Sequence, residues 1–199
     1  MRNYLKNLLD QLKLMFRKEN YGPKVFCIGY QKTGTTTLGK SLEMLGYRNS
    51  SYNKRVHQEY FHKGQIDKVL RFAAKFDSFD DLPWLHPNLI PKLDKTFPGS
   101  KFVYLERDEQ SWKRSYREWF FLQRGEYPDE ERGYHNYLVH RQYVMKYFAG
   151  REQDLICLEI KDPQGFRKLA EFLGKPVLRD DFPHFNRTSE MKKRKAQSA

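Results

Sequence analysis

Two groups of side chains in this sequence have the types and spacing for chemistry on an anion. The first is Gly29-Tyr-Gln-Lys-Thr-Gly-Thr-Thr-Thr37, in which Lys32 sits among the hydroxyls of Thr33, Thr35, Thr36 and Thr37, with Gly34 inside the loop. A loop of small polar residues that opens into a helix gathers backbone N–H groups at one spot, and the helix dipole favours negative charge there. The second is Arg107-Asp-Glu-Gln-Ser-Trp-Lys-Arg-Ser115, where an arginine precedes a serine by eight positions. Arginine offers a planar fork for a phosphate, and a serine hydroxyl adds one bond from the side.

The first group is close to a nucleoside-triphosphate loop but departs from it. That motif is glycine, four residues, then Gly-Lys-Ser/Thr. Gly29 and Gly34 have the spacing, yet Thr35 stands where the lysine belongs, and the lysine is Lys32, inside the loop.

Regular elements must position both groups. Val25 to Ile28 is a short apolar run, the pattern of a buried parallel strand. From Thr35 onward Leu38, Leu42 and Leu45 recur at helical spacing until Gly46 ends the helix. Lys101 to Arg107 is a second clear strand, with Pro98-Gly99 as the turn before it. Asp108 is a good N-cap, so Ser111 and Ser115 lie four apart on one face of the helix that follows. Between these lie a weak strand or loop at 47–51, a helical stretch at 56–75 broken at Gly64, a short strand at 76–81 and a short helix at 88–96. Further helices are expected at 109–124 and 131–148, a third clear strand at 154–159, and a helix at 164–173. Strands alternating with helices predict an α/β fold: three layers, a mostly parallel central sheet flanked by helices.

With 199 residues the chain suits one domain over 1–199, and its net charge of +12 suits a polyanionic ligand, an anionic membrane surface or nucleic acid without choosing among them. Part of that charge lies in Lys192-Lys193-Arg194-Lys195, within a basic tail at 188–199 expected to be disordered. Cys27 and Cys157 fall in apolar strand-like runs and are expected to be buried thiols in a reducing compartment. Residues 1–20 pattern as an amphipathic helix, with Leu5, Leu8, Leu9, Leu12, Met15 and Phe16 on one face. Its charges interrupt a signal peptide or membrane span. It either packs on the domain or lies in a membrane interface.

Tyr30-Gln31-Lys32-Thr33-Gly34-Thr35-Thr36 resembles the 5′-phosphosulfate loop of sulfotransferases that use 3′-phosphoadenosine 5′-phosphosulfate (PAPS). Arg107 and Ser115 resemble the 3′-phosphate motif of the same family, with a similar lead-in at Pro98-Gly-Ser-Lys-Phe-Val-Tyr-Leu105. Residues 171–177 and 182–186 resemble its small members more loosely. The resemblance implies a P-loop-like architecture and transfer of a sulfuryl group from PAPS to a hydroxyl or amine, leaving 3′,5′-diphosphoadenosine, without a metal. It implies cofactor contacts from Lys32, Thr33, Gly34, Thr35, Thr36, Thr37, Arg107 and Ser115, with Lys32 also catalytic. Gln31 stands where proline is usual, and Thr37 where many members stack adenine on tryptophan. No Arg-Lys-Gly segment appears near the C-terminus, where Arg187 is the nearest substitute.

Family members place their base after the strand that precedes the helix leading to the arginine strand. Here that region offers Asp77, Asp80, Asp81 and His86. Asp81-Leu-Pro resembles the family's His-Leu-Pro, so Asp81 is the first candidate base and His86 the second; the alternative is that Asp80 and Asp81 cap the next helix. A carboxylate near Lys32 and Arg107 is expected to have a depressed pKa unless burial opposes it. Trp112, Tyr116, Trp119, Phe120 and Tyr127 offer either an acceptor pocket or core packing. The acceptor is expected to be a small molecule, glycan or lipid, and the setting cytoplasmic, with peripheral membrane contact through 1–20 as an option. A phosphate-loop kinase is one rival reading. A basic nucleic-acid-binding protein is the other, and it fits less well because the informative basic residues sit at two strand ends instead of along a groove.

Overall fold

The computed structural model describes residues 16–183. The expected basic tail and Arg187 lie outside them, as do residues 1–15 of the expected N-terminal helix; residues 16–20 are not helical. Among the described residues no helix is long and apolar enough to cross a membrane.

Five strands form one parallel sheet in the order β2-β3-β1-β4-β5. They are β1 (Val25–Cys27), β2 (Asn49–Ser50), β3 (Ser78–Phe79), β4 (Lys101–Glu106) and β5 (Leu155–Glu159). The helices are α1 (Thr35–Met44), α2 (Ile66–Ala73), α3 (Ile90–Thr96), α4 (Glu109–Arg124), α5 (Glu130–Tyr147) and α6 (Gly165–Phe172), with a π-helical segment at Arg55–Phe61.

Because strand side chains alternate between faces, β1 and β4 feed two cores. Phe26, Ile28, Phe102 and Tyr104 pack with Trp84, Leu93, Val144 and Phe148 on one side. Val25, Cys27, Val103 and Leu105 pack with Leu38, Leu42, Phe166 and Leu169 on the other. Helices α1 and α6 therefore cover one face, and α2, α3 and α5 the opposite one. This is the expected three-layer α/β fold. The helical stretch at 56–75 is indeed broken at Gly64, which adopts φ 70°.

Cys157 corrects a sequence expectation. Cys27 is fully buried, but Cys157 is exposed, because β5 is the edge of the sheet. Leu-Ile-Cys-Leu reads as apolar whether its strand is central or at an edge.

Gly39 shows how tightly α1 sits on the sheet. A Cβ there would collide with the carboxylate of Asp80, which is buried after β3 and accepts hydrogen bonds from Asn49 Nδ2 and Ser51 Oγ, both at 2.6 Å. The helix carrying the threonines is thus set against the strand end carrying the acids.

Candidate active site

In a parallel sheet all carboxyl ends lie at one edge, where open α/β sheets bind ligands. Here that edge gathers the loop after β1, Tyr52 after β2, Asp81 after β3 and Arg107 after β4. Together they border a cavity of about 650 Å³. Of the expected residues, Lys32, Gly34, Thr35, Thr36 and Thr37 reach it from the loop and α1, Arg107 and Ser115 from β4 and α4, and Asp81 from β3.

The loop owes its shape to partners that take its carbonyls. His140 Nε2 donates to the Ile28 carbonyl at 2.7 Å, and the Thr33 hydroxyl to that of Tyr30 at 2.7 Å. The Trp112 indole N–H donates to the Gln31 carbonyl and Arg107 Nη1 to that of Lys32, both at 2.8 Å. The carbonyls are thus held by α4, α5, the end of β4 and the loop itself. The first turn of α1 leaves its amides without intrahelical partners, and no side chain caps them. Gly34 holds φ 111°, and a Cβ there would strike Ile160, so both backbone and space demand glycine.

Thr33 spends its hydroxyl inside the loop, is buried and does not border the cavity. Ser111, one turn before Ser115, is also buried and accepts from Lys161 Nζ at 3.2 Å. Asp108 caps α4 as expected, accepting from the Ser111 amide at 2.8 Å.

Lys32 and Asp81 are strained and desolvated. Among the described residues they are the two that are not glycine yet have positive φ, each at 68°. Burial, with Arg107 close by, pulls the Lys32 ammonium down to about 8, partly offset by Asp81. Its Nζ lies 5.0 Å from the centroid of the Trp119 ring. Burial also lowers the pKa of Arg107. At Asp81 burial does oppose the expected depression. It raises the pKa, against the Leu82 amide, Lys32 and His57, which all favour the carboxylate. Its Oδ1 accepts the Leu82 N–H at 2.7 Å.

His86 is placed away from the cavity. Its Nδ1 accepts from the Asn88 amide at 3.3 Å, and its ring lies 4.7 Å from that of Phe61. The imidazole that borders the cavity is His57, from the π-helical segment. It packs edge-on against Tyr52 and 4.5 Å from the His62 ring. Burial and His62 lower its pKa, so it is neutral near pH 7. Its Nδ1 is buried with no hydrogen-bond partner among the described residues. Nothing local in the sequence marks His57; the strand order brings its segment to the site.

A family model described as "Sulfotransferase domain" matches residues 24–127 and 118–191, most of the chain, including the Lys32 loop and the Arg107–Ser115 pair. The chain belongs to the sulfotransferase domain family. No curated protein is a significant match in sequence. Among solved structures, the sulfotransferase domain from the curacin biosynthetic pathway is similar, with a TM-score of 0.50 and 15% identity, over 79% of this chain and 75% of that one. At that identity the likeness speaks for the fold. A gluconokinase from Sinorhizobium meliloti 1021 superposes with a TM-score of 0.46 and 15% identity, over 78% of this chain and 97% of that one. The matched residues include the loop between β1 and α1 and the Arg107–Ser115 pair of β4 and α4.

Proposed function

We propose that the cavity binds PAPS and that the protein moves its sulfuryl group to a hydroxyl or amine of an acceptor. The observation that carries this reading is the pairing of Lys32 and Arg107. Two cations lie side by side, both desolvated, and neither forms a salt bridge among the described residues. Such a pair wants a polyanion. The fit is good in kind: uncapped helix amides beside hydroxyls for a 5′-phosphate, and an arginine fork with a serine for a 3′-phosphate.

The donor supplies an activated sulfuryl group on a phosphate leaving group, and catalysis by the protein is then mostly positioning and electrostatics. The amides and hydroxyls of Thr35, Thr36 and Thr37 hold the 5′-phosphate. Arg107 and Ser115 fix the 3′-phosphate and so set the donor's register. Lys32 stabilises the negative charge that grows on the oxygen bridging sulfur and phosphorus as that bond breaks. Asp81 takes the proton from the acceptor as its oxygen bonds to sulfur. Its raised pKa makes it a better base than an ordinary carboxylate, provided the pH keeps it ionised.

The reaction can be followed with PAPS labelled in sulfur and a panel of hydroxyl acceptors. Labelled ester that disappears with Lys32→Ala is the expected result. Label left on PAPS while ATP and Mg²⁺ give phosphorylated product would replace this reading with that of a kinase.

A further inference from the structure

Helix α4 carries one cavity cation that the donor does not need. Ser115, Trp119 and Arg124 all border the cavity from this helix. At 1.5 Å of rise per residue, Trp119 lies about 6 Å beyond Ser115 and Arg124 about 7.5 Å beyond Trp119. Ser115 stands with Arg107 at the 3′-phosphate. Trp119 stands under the ammonium of Lys32, where the sulfuryl group is transferred. Arg124 lies farther along the helix axis than Trp119; its Cα is about half a turn round the helix from that of Ser115, yet its side chain still borders the cavity. With the donor placed as above, that far stretch is the part left for an acceptor. Tyr52, His57, Leu82 and Trp119 also line the cavity. Arg124 is exposed, rests on the Phe120 ring at 4.8 Å and forms no salt bridge among the described residues.

Resting on the donor placement proposed above, we propose that the acceptor is itself an anion: a ring-bearing hydroxyl compound with a carboxylate, phosphate or sulfate that Arg124 binds. The rings of Tyr52 and Trp119 take the acceptor's ring, and Arg124 takes its charge. An acidic sugar and a phosphorylated cyclitol headgroup share this chemistry. Arg124 also lies in the last turn of α4, where a positive charge suits the helix dipole, so a purely structural role is the competing account.

Trp119 reports binding, since Trp84 and Trp112 are fully buried. The protein is first saturated with 3′,5′-diphosphoadenosine, and its fluorescence is then titrated with two matched pairs. These are methyl glucuronoside against methyl glucoside, and inositol 1-phosphate against inositol. We expect at least one anionic probe to bind tenfold or more tightly than its neutral partner, and which one does so identifies the source of the anion. Arg124→Gln should erase the preference, Arg124→Lys should keep most of it, and both should bind the diphosphate within twofold of the wild type. Equal binding within each pair, no response to any probe, or a preference that survives Arg124→Gln overturns the proposal. Weakened diphosphate binding in Arg124→Gln overturns it too, by assigning Arg124 to the donor. A wild-type protein that does not bind the diphosphate fails before any probe is added; that result removes the donor placement itself.

Discussion

Arg107 Nη1 donates a hydrogen bond to the main-chain carbonyl of Lys32 at 2.8 Å, so the two motifs that bracket the cavity are joined to each other directly. The residue proposed to read the 3′-phosphate thereby also holds the loop proposed to bind the 5′-phosphate. Removing it should act on both ends of the ligand. Arg107→Ala should weaken 3′,5′-diphosphoadenosine by about 2 kcal/mol, roughly 30-fold, as expected for lost charged hydrogen bonds. Adenosine 5′-phosphate, which lacks the 3′-phosphate, should weaken by a smaller factor through the loop alone. Calorimetry of both ligands on one variant separates the two contributions.

Lys32 should be a residue that the fold would be better without. Its ammonium is lowered from 10.5 to about 8 by burial and by Arg107, so the folded state binds fewer protons than the unfolded state between those values. The cost is full below about pH 8 and is relieved as pH rises toward 10.5. Lys32→Met, which keeps the bulk and drops the charge, should therefore raise stability near pH 7 by about 1 kcal/mol while abolishing transfer. Urea unfolding at pH 7 and pH 10 checks this, since the gain should shrink at the higher pH.

Asp81 gives the opposite sign. Burial raises its pKa, so its ionised form is the strained one, and the cost appears as pH rises through the raised value. Asp81→Asn should leave diphosphate binding near the wild-type level and lower kcat by about 10²- to 10⁴-fold, the usual weight of a general base. The kcat/KM profile of the wild type, which follows the free protein, should rise on the acid side as Asp81 ionises and fall above about pH 8 as Lys32 loses its charge. If the acid limb persists unchanged in Asp81→Asn, the base is another group, and His57, which borders the same cavity, is the candidate to replace it.

Gly39 provides a test of how the layers are set. Its missing side chain admits the Asp80 carboxylate, which is held by Asn49 and Ser51. Gly39→Ala must push α1 off the strand ends or break those bonds. A loss of about 2–3 kcal/mol is expected, as for other overpacked buried sites, and thermal unfolding measures it.

The parts of this site that could be read in the sequence are those written locally. The loop from Gly29 to Thr37 and the spacing of Arg107 and Ser115 each carry their chemistry within one strand–helix unit, and helical or strand periodicity placed the frame. The remainder depends on which strands are neighbours. Tyr52 and His57 follow β2, which joins the sheet only through β3, and no local pattern distinguishes His57 from His62 or His86. Along the chain only the Leu-Pro that follows Asp81 ranks it before His86; in the fold Asp81 borders the cavity and His86 packs on Phe61. The exposure of Cys157 has the same origin, because edge position is a property of the sheet and not of the run Leu155–Leu158. The sign of the Asp81 shift likewise needed the burial, which outweighs the attraction of Lys32.

The central claim, that paired Lys32 and Arg107 hold a donor with phosphates at both ends, meets its most direct test in calorimetric titration with metal chelated. 3′,5′-Diphosphoadenosine should bind at least tenfold more tightly than ATP, without metal, and this binding should be lost in both Lys32→Ala and Arg107→Ala. Preference for ATP, dependence on Mg²⁺, or diphosphate binding indifferent to both substitutions would contradict it.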